Sequence, residues 1–366
     1  MKAPLRNLLA LCLATLAGCG GGLDAQPAES AAAATTVGAG ASAPAHPSGL
    51  ANAQFLRRLQ SARVTVAHRG VRRVEQHWKI GDEAQELSYR EQVASDGAGR
   101  FAIEALEQLT PGSNQAADSA VDGSAADGSA ADGSAVDGAF VLLHQARAGF
   151  TWRYRDFAVR DVEAFLLNYD LLPLGSLAVV LGRPCDEYLV QRSVGHAVRY
   201  SIAVDRETGL VLRTRHETAA GELLGLVEYE SLELAPDLSA VAWHTPVTLE
   251  EPLERDPNAA AQQLGFRPRL PRTDGGVFRL LEAQLIIAPD PQGGEQRWAK
   301  HTLTDGVEVL FFLHGGNDPA AREDVVRVAP PVGPWNTAEG SLRGEQFTCL
   351  GRVSVDELLD VIASTL

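Results

Sequence analysis

Apolar residues recur along this chain at two different spacings, and the change of spacing divides it into helices and strands. Residues 52–62 carry apolar side chains three and four positions apart, which predicts a short helix. Between 64 and 107 apolar and polar residues alternate, with glycine-containing breaks, and this pattern predicts strands. The helical spacing returns over 162–172 and predicts a second helix.

The most regular alternation lies between residues 183 and 234. An outgoing strand ends at Asp205, a turn runs to Gly209, and the chain alternates back before a further strand over 224–234. This pattern is typical of an antiparallel meander with one face exposed to water. Its apolar positions are Val198, Tyr200, Ile202 and Val204 on the outgoing strand, with Leu210 and Leu212 on the returning one.

The last third of the chain repeats the mixture of helices and strands. A linker is expected over 245–255, followed by a short helix that begins at Asp256 and ends at Gly265. Ser354 and Glu357 form a capping box for a final helix. Between these helices we expect strands over 277–287, 297–304 and 307–313, the last two joined by a hairpin at Asp305-Gly306, and a loop over 329–334.

This succession predicts an α+β fold in two units, each with helices and an antiparallel sheet. The larger domain is expected over 51–244 and the smaller over 245–366. A repeat of Asp-Gly-Ser-Ala units occupies 112–139 inside the first domain and is interpreted as a disordered surface insertion. The repeat has a period of five, whereas a calcium-binding β-roll needs nine.

The first nineteen residues have the features of a bacterial lipoprotein signal. Lys2 and Arg6 precede an apolar core over 8–16, and Leu16-Ala17-Gly18-Cys19 resembles a lipobox. The resemblance implies removal of residues 1–18 and lipidation of Cys19, and several acyl chains on one residue anchor a protein stably. Residues 19–50 are small and polar and predict a flexible tether with a reach on the order of 30 Å. We therefore expect a body held on a bacterial membrane outside the cytoplasm, with the outer membrane facing the periplasm as the favoured location.

Charge limits the partners of this body. The formal net charge of −15 predicts no nucleic acid binding, because phosphates would be repelled. Residues 51–80 depart from this average and are basic. They are interpreted either as ordinary solvated helix and strand faces or as a docking patch for an acidic partner, and the candidate patch residues are Arg57, Arg58, Arg63, Arg69, Arg72 and Arg73.

The sequence contains no recognisable catalytic or metal site. Cysteine pairs and histidine pairs at ligand spacing are missing, and no serine elbow accompanies His314-Gly315-Gly316, so we expect neither an enzyme nor a metal or other cofactor. Cys185 and Cys349 remain after the signal and the lipidated residue are set aside. They could form a disulfide in an oxidising compartment, or each could be a small buried apolar residue.

About fifty residues carry a family resemblance. Gly182-Arg183-Pro184-Cys185, the Tyr200 strand, the Asp205-to-Leu210 turn and Gly221 resemble the MucB/RseB family of envelope-stress regulators. The resemblance implies the N-terminal fold that this family shares with the lipoprotein carriers LolA and LolB, an open antiparallel half-barrel covered by helices. It also implies a smaller C-terminal α+β domain.

Three functions follow from this resemblance and from the lipobox. The first is a lipid-anchored regulator that binds an anti-sigma factor and senses lipid or lipoprotein, which a neighbouring gene for a single-span anti-sigma factor would favour. The second is a LolB-like carrier or receptor with an acyl chain in its half-barrel. The third is a structural lipoprotein without a ligand.

A ligand would need a cavity between the sheet and its helices. The candidate lining is the set of apolar meander residues given above, from Val198 to Leu212, and we expect a volume of at least roughly 300 Å³ if an acyl chain is held there. The alternative is that these side chains pack as plain core beneath helices around Phe55 and Phe165.

Overall fold

A computed structural model describes residues 49–109, 154–193, 199–243, 250–271, 277–289, 295–317 and 324–365. Cys19, the tether, the repeat and Val198 lie outside the described residues. Within the described part of the chain, no helix is both long and apolar enough to cross a membrane. The architecture consists of two open antiparallel sheets with a few short helices, which is the α+β class expected from the sequence.

The first sheet has eight strands in the order β3-β2-β1-β8-β7-β6-β5-β4. Each neighbouring pair is antiparallel, as alternating apolar and polar strands with one wet face require. Its elements are α1 (Gly49–Thr65), β1 (Ala67–Ile80), β2 (Glu83–Asp96), β3 (Phe101–Gln108), α2 (Val162–Asn168), β4 (Tyr169–Val180), β5 (Arg183–Arg192), β6 (Arg199–Asp205), β7 (Val211–Glu217) and β8 (Leu223–Leu234).

The second sheet has seven strands in the order β13-β14-β15-β12-β11-β10-β9. Its elements are β9 (Glu250–Pro252), α3 (Pro257–Leu264), β10 (Arg279–Pro289), β11 (Glu295–Thr304), β12 (Val309–Asn317), β13 (Val325–Val332), β14 (Trp335–Leu342), β15 (Glu345–Gly351) and α4 (Val355–Ala363). The predicted helix ends are confirmed: the Asp256 side chain caps α3, Gly265 closes it at φ 81°, and Ser354 and Glu357 form the capping box of α4.

Helix α1 crosses the covered face of the first sheet from one edge towards the other. Near its start the Phe55 ring packs on Tyr188 of β5, with ring centroids 4.7 Å apart. Near its end the Arg63 guanidinium lies 3.9 Å from the centroid of Phe101 on β3. The residues of β1 with even numbers face this helix and the core, and they are buried from His68 to Trp78.

Three local expectations are wrong. Helix α2 ends at Asn168, because residues 169–180 pair with β5 as an edge strand instead of continuing the helix to 172. The expected loop at 329–334 belongs mostly to β13, where prolines are tolerated because the strand is at an edge. The expected linker contains β9, whose residues 250–252 pair with β10.

The possible disulfide is not formed: Cys185 and Cys349 are both free and fully buried. Cys185 packs in the core of the first sheet with Val74 and Leu212, whereas Cys349 packs in the second with Phe312 and Leu358. The two thiols thus belong to separate cores, and each serves as a small apolar residue. Burial raises the pKa of both thiols.

Residues 154–161 connect the two sheets. The Tyr154 ring packs in the second sheet against Phe311, at 5.4 Å between centroids, while Phe157 packs in the first against Tyr200 at the same distance. Arg160 donates from its side chain to the carbonyl of Val307 at 2.9 Å. This segment therefore holds the sheets together through apolar contacts on both sides and through hydrogen bonds.

The loop between β11 and β12 completes the junction. The Asp305 carboxylate is buried and accepts a hydrogen bond from the Tyr169 hydroxyl at 2.8 Å, and Arg192 lies 3.5 Å away. The backbone of Gly306, at φ 110°, lies so close to Phe165 that a Cβ would be 2.3 Å from the Phe165 nitrogen. The predicted Asp305-Gly306 turn thus has a second use, because it docks on α2 of the other sheet.

Candidate binding cavity between the two sheets

A cavity of about 630 Å³ lies between the covered face of the first sheet and the second sheet. The first sheet contributes residues of β1, β2, β6, β7 and β8, including Trp78 and Tyr200. The second contributes the turn between β13 and β14, including Pro334, and the side of the sheet around Arg352. Such a volume is within the usual range for a small-molecule site or for a few residues of a bound polypeptide.

An aromatic pair lies at the base of this cavity. Tyr200 on β6 and His216 on β7 are opposite each other in the sheet, and their rings stack with centroids 4.6 Å apart and planes 11° apart. Phe157 also packs against Tyr200, with ring centroids 5.4 Å apart. The pair is rigid because it is held between neighbouring strands and the connecting segment.

Three polar atoms at the base have no hydrogen-bond partner among the described residues. They are the Tyr200 hydroxyl, His216 Nε2 and Trp78 Nε1, all on side chains that are more than nine-tenths buried. Burial, assisted by the positive charge of Arg352, lowers the pKa of His216 well below its usual value, so the imidazole is neutral at pH 7. These uncharged donors and acceptors have almost no accessible surface of their own, and each costs free energy while it is buried without a partner.

A buried ion-pair network supports one wall. Arg72 and Arg155 both bind Glu91 and Asp156, with the Arg155 Nη2 atom 2.7 Å from Glu91 and the Arg72 Nη1 atom 2.8 Å from Asp156. Arg155 also donates to the Tyr89 hydroxyl. Although burial alone would raise it, the pKa of Asp156 is far below its usual value because the guanidinium groups outweigh desolvation. With Arg63, which lies 3.6 Å from Asp156, three guanidinium groups face two carboxylates, and each carboxylate is already paired within this network.

The opposite wall comes from the second sheet. Arg352 forms hydrogen bonds of 3.3 Å to both carboxylate oxygens of Glu308 and lies over the Trp335 ring. At the mouth, Lys79 and Glu222 form an exposed ion pair of 3.3 Å. A ligand in the cavity would thus meet neutral polar groups at the base and mixed charges at the mouth.

Of the predicted cavity residues, the structure brings only Tyr200 to this cavity. Ile202 and Val204 pack beneath α1 and α2 with Phe165, and Leu210 and Leu212 pack in the adjacent cluster around Val74. These four side chains act as core, which was the alternative interpretation of the alternating pattern. Val198 lies outside the described residues.

The six arginines of the candidate patch do not share one surface. Arg57 and Arg73 are exposed, and Arg69 is half-buried on the outer face of β1. Arg58 donates to the carbonyls of Arg206 and Glu207, and Arg63 lies 3.6 Å from Asp156. Arg72 is 5% exposed and belongs to the ion-pair network, so its inclusion in a docking patch is wrong.

Sequence reasoning missed Trp78, His216 and Arg352. The first two could have been found, because Trp78 continues the even-numbered series of β1 and His216 continues the series of Leu212 on β7. Arg352 could not, because nothing in the local sequence indicates that its sheet packs against the other one.

Twenty-two chains of solved structures match this one, and three of them show the range of similarity. The complex of MucA and MucB from Pseudomonas aeruginosa superimposes with a TM-score of 0.46 at 16% identity, over 86% of this chain and 97% of that one. MucB alone superimposes with a TM-score of 0.43 at 18% identity, over 87% and 98%. The chain is similar to MucB. A DUF1329 family protein from Desulfovibrio piger matches less, with a TM-score of 0.21 at 13% identity over 52% and 94%.

The similarity to MucB agrees with the resemblance seen between Gly182 and Gly221 in the sequence. Fewer than one residue in five is identical in these superpositions. No protein-family model matches the sequence, and no curated protein matches it.

Proposed function

We propose that this protein is a periplasmic regulatory binding lipoprotein, without catalytic activity, whose cavity between the two sheets binds an extended polypeptide segment. An anti-sigma factor's periplasmic segment is the partner we favour, as the sequence resemblance implies, and MucB has been solved in complex with MucA. The observation that carries the proposal is the base of the cavity, with the unpartnered polar atoms of Trp78, Tyr200 and His216.

The choice of polypeptide over acyl chain rests on hydrogen bonding. An acyl chain has nothing to offer the Tyr200 hydroxyl, the Trp78 N–H or the neutral His216 ring, so it would not recover the cost of about 1–3 kcal/mol that each group carries without a partner. Backbone carbonyls and amides of an extended segment satisfy such groups once a small side-chain movement uncovers them, and Val227 and Pro334 are placed to contact its apolar side chains. The mixed lining therefore favours a polypeptide, and a LolB-like carrier function is the second candidate.

Cross-linking from inside the cavity tests this proposal. A photo-reactive phenylalanine analogue replaces Pro334 in the turn that closes the cavity, and a matched control places it at Leu106, which is 47% exposed on β3 and does not line the cavity. We expect a polypeptide adduct, identified by mass spectrometry after irradiation in cells, from position 334 only. Adducts with acyl chains would support the carrier function instead, and equal adducts from both positions would show that the cavity is not the site.

A further inference from the structure

The strand β4 and the turn after it form an exposed apolar arm, here called the leucine arm (residues 171–182). No charged side chain occurs between Asp170 and Arg183. The strand lies at the edge of the first sheet. Half of the strongly exposed large apolar side chains of the described residues lie on the arm or just before it, and those on the arm are Leu172 (40%), Leu174 (48%), Leu177 (61%), Val179 (70%) and Leu181 (41%).

The turn of the arm carries a leucine in an unfavourable backbone conformation. Leu181 and Gly182 join paired residues Val180 and Arg183, and both have positive φ, 54° and 73°. Such two-residue turns normally contain asparagine, aspartate or glycine, because other side chains clash with the backbone there. Packing does not compensate for the strain, since the Leu181 side chain is exposed. Strain of this kind is a reason to look for a function of the side chain.

The backbone of the arm is poorly suited to pairing with another strand. Pro173 lacks an amide hydrogen, and the pairing with β5 is interrupted between Pro173 and Leu177, where Gly175 has φ 68°. Prolines and irregularities of this kind protect sheet edges from strand addition. The arm therefore offers apolar side chains to a partner, and not a ladder of backbone hydrogen bonds.

The start of α1, which follows the predicted membrane anchor in the sequence, lies beside the arm. Phe55, near the start of α1, packs against Tyr188, and Tyr188 is the strand partner of Pro173 in the arm. The chain before Gly49 leads back to Cys19 through roughly thirty residues, and a Gly/Ser-like chain of that length reaches on the order of 30 Å. A body anchored in this way holds the leucine arm within reach of the bilayer that contains its own acyl chains.

We propose that the leucine arm is a membrane-contact surface that inserts Leu177, Val179 and Leu181 into the interface of the bilayer. The net charge of −15 becomes −17 when Lys2 and Arg6 leave with the signal, and it opposes attraction to anionic headgroups. The contact therefore depends on apolar burial and operates on zwitterionic lipid. This surface is separate from the cavity, and the proposal does not depend on the identity of the cavity's ligand.

Vesicle partitioning tests the contact without the acyl anchor. The mature chain, residues 19–366 with Cys19→Ala, is made without its signal sequence and mixed with phosphatidylcholine vesicles. We expect Leu177→Asp with Val179→Asp to lower the partition coefficient at least about tenfold, because two exposed apolar side chains become charged. The matched control is Val325→Asp with Val328→Asp, two exposed valines on the edge strand of the second sheet, and it leaves partitioning unchanged.

A second variant separates membrane contact from folding. Leu181→Gly removes the apolar tip and relieves the positive φ, so we expect an unchanged or higher melting temperature together with weaker vesicle binding. The proposal is overturned if the unsubstituted chain does not bind vesicles, or if both pairs of aspartates weaken binding equally. It is also overturned if light scattering shows that the Leu177 and Val179 substitutions dissociate a dimer while vesicle binding stays the same.

Discussion

Removal of the Asp305 carboxylate should strongly destabilise the junction between the two sheets. The carboxylate accepts hydrogen bonds from the Tyr169 hydroxyl at 2.8 Å and from the backbone amides of Val307 and Glu308 at 3.1 and 2.8 Å, and Arg192 lies 3.5 Å away. Asp305→Ala leaves these donors buried without an acceptor. Because breaking a buried charged network costs about 3–5 kcal/mol, we expect a loss of that size in the free energy of unfolding.

Asp305→Asn should cost less than Asp305→Ala. The amide oxygen can still accept from the amides of Val307 and Glu308, which hold the loop in shape. Burial raises the pKa of Asp305 despite the attraction of Arg192, so the negative charge itself is disfavoured at this place. We expect the asparagine variant to recover about half of the loss, roughly 2 kcal/mol.

Urea unfolding followed by tryptophan fluorescence measures both variants. The matched control is Asp186→Ala, which removes an aspartate whose pair with Arg206 is exposed at the surface, and it should change stability by no more than about 1 kcal/mol. A loss below about 1 kcal/mol for Asp305→Ala, or equal losses for alanine and asparagine, would refute the assignment of Asp305 as the acceptor that holds the junction.

Three further outcomes are expected. Burial lowers the pKa of His301 to about 4 and of His314 to about 3. The stability these neutral histidines allow is therefore fully present above pH 6.5, and the free energy of unfolding should fall by about 1.4 kcal/mol per pH unit for each histidine on acidification towards pH 4. Urea unfolding at several pH values should show a shallower pH dependence for His301→Leu. In the mature Cys19→Ala chain, a thiol reagent should label neither Cys185 nor Cys349 until the protein is unfolded, and then both. Labelling of neither thiol after unfolding without reductant would indicate a disulfide between them. Cys19→Ala should release the protein from membranes after a high-salt wash, because a leucine arm alone binds reversibly, and a variant that stays in the pellet would require another anchor.

The sequence predicts strands and caps well where local pattern and tertiary pairing agree. The capping box at Ser354 needs only residues within one turn, and the alternation of β1 needs only one buried face. The sequence-based prediction of the end of α2 is wrong, because the helical spacing of Val162, Phe165 and Tyr169 continues into a segment that pairs with β5. Local preference for a helix is weak there compared with a ladder of hydrogen bonds to a neighbouring strand.

The cavity could be predicted only in part, for a geometric reason. Alternation along one strand indicates that Tyr200 faces inward, but it does not separate side chains that pack under a helix from those that line a space beside it. Ile202 is core because α1 and α2 cover it, whereas Tyr200 is next to the second sheet. The location of Arg72 was also not predictable from residue type. Its charge indicates an exposed side chain, yet it lies between Gly70 and Val74 on the buried face of β1 and forms part of the ion-pair network.

Native mass spectrometry of the protein released gently from cell envelopes tests the binding proposal most directly. We expect a complex with a bound polypeptide. We also expect a lower bound fraction for Trp78→Phe combined with Tyr200→Phe, because this variant removes the N–H and the hydroxyl while keeping aromatic rings at both positions. The matched variant Tyr188→Phe, outside the cavity, should retain it. A bound fatty acyl mass that survives in the double variant, or a ligand-free protein in every preparation, would contradict the claim that the cavity between the sheets binds a polypeptide segment.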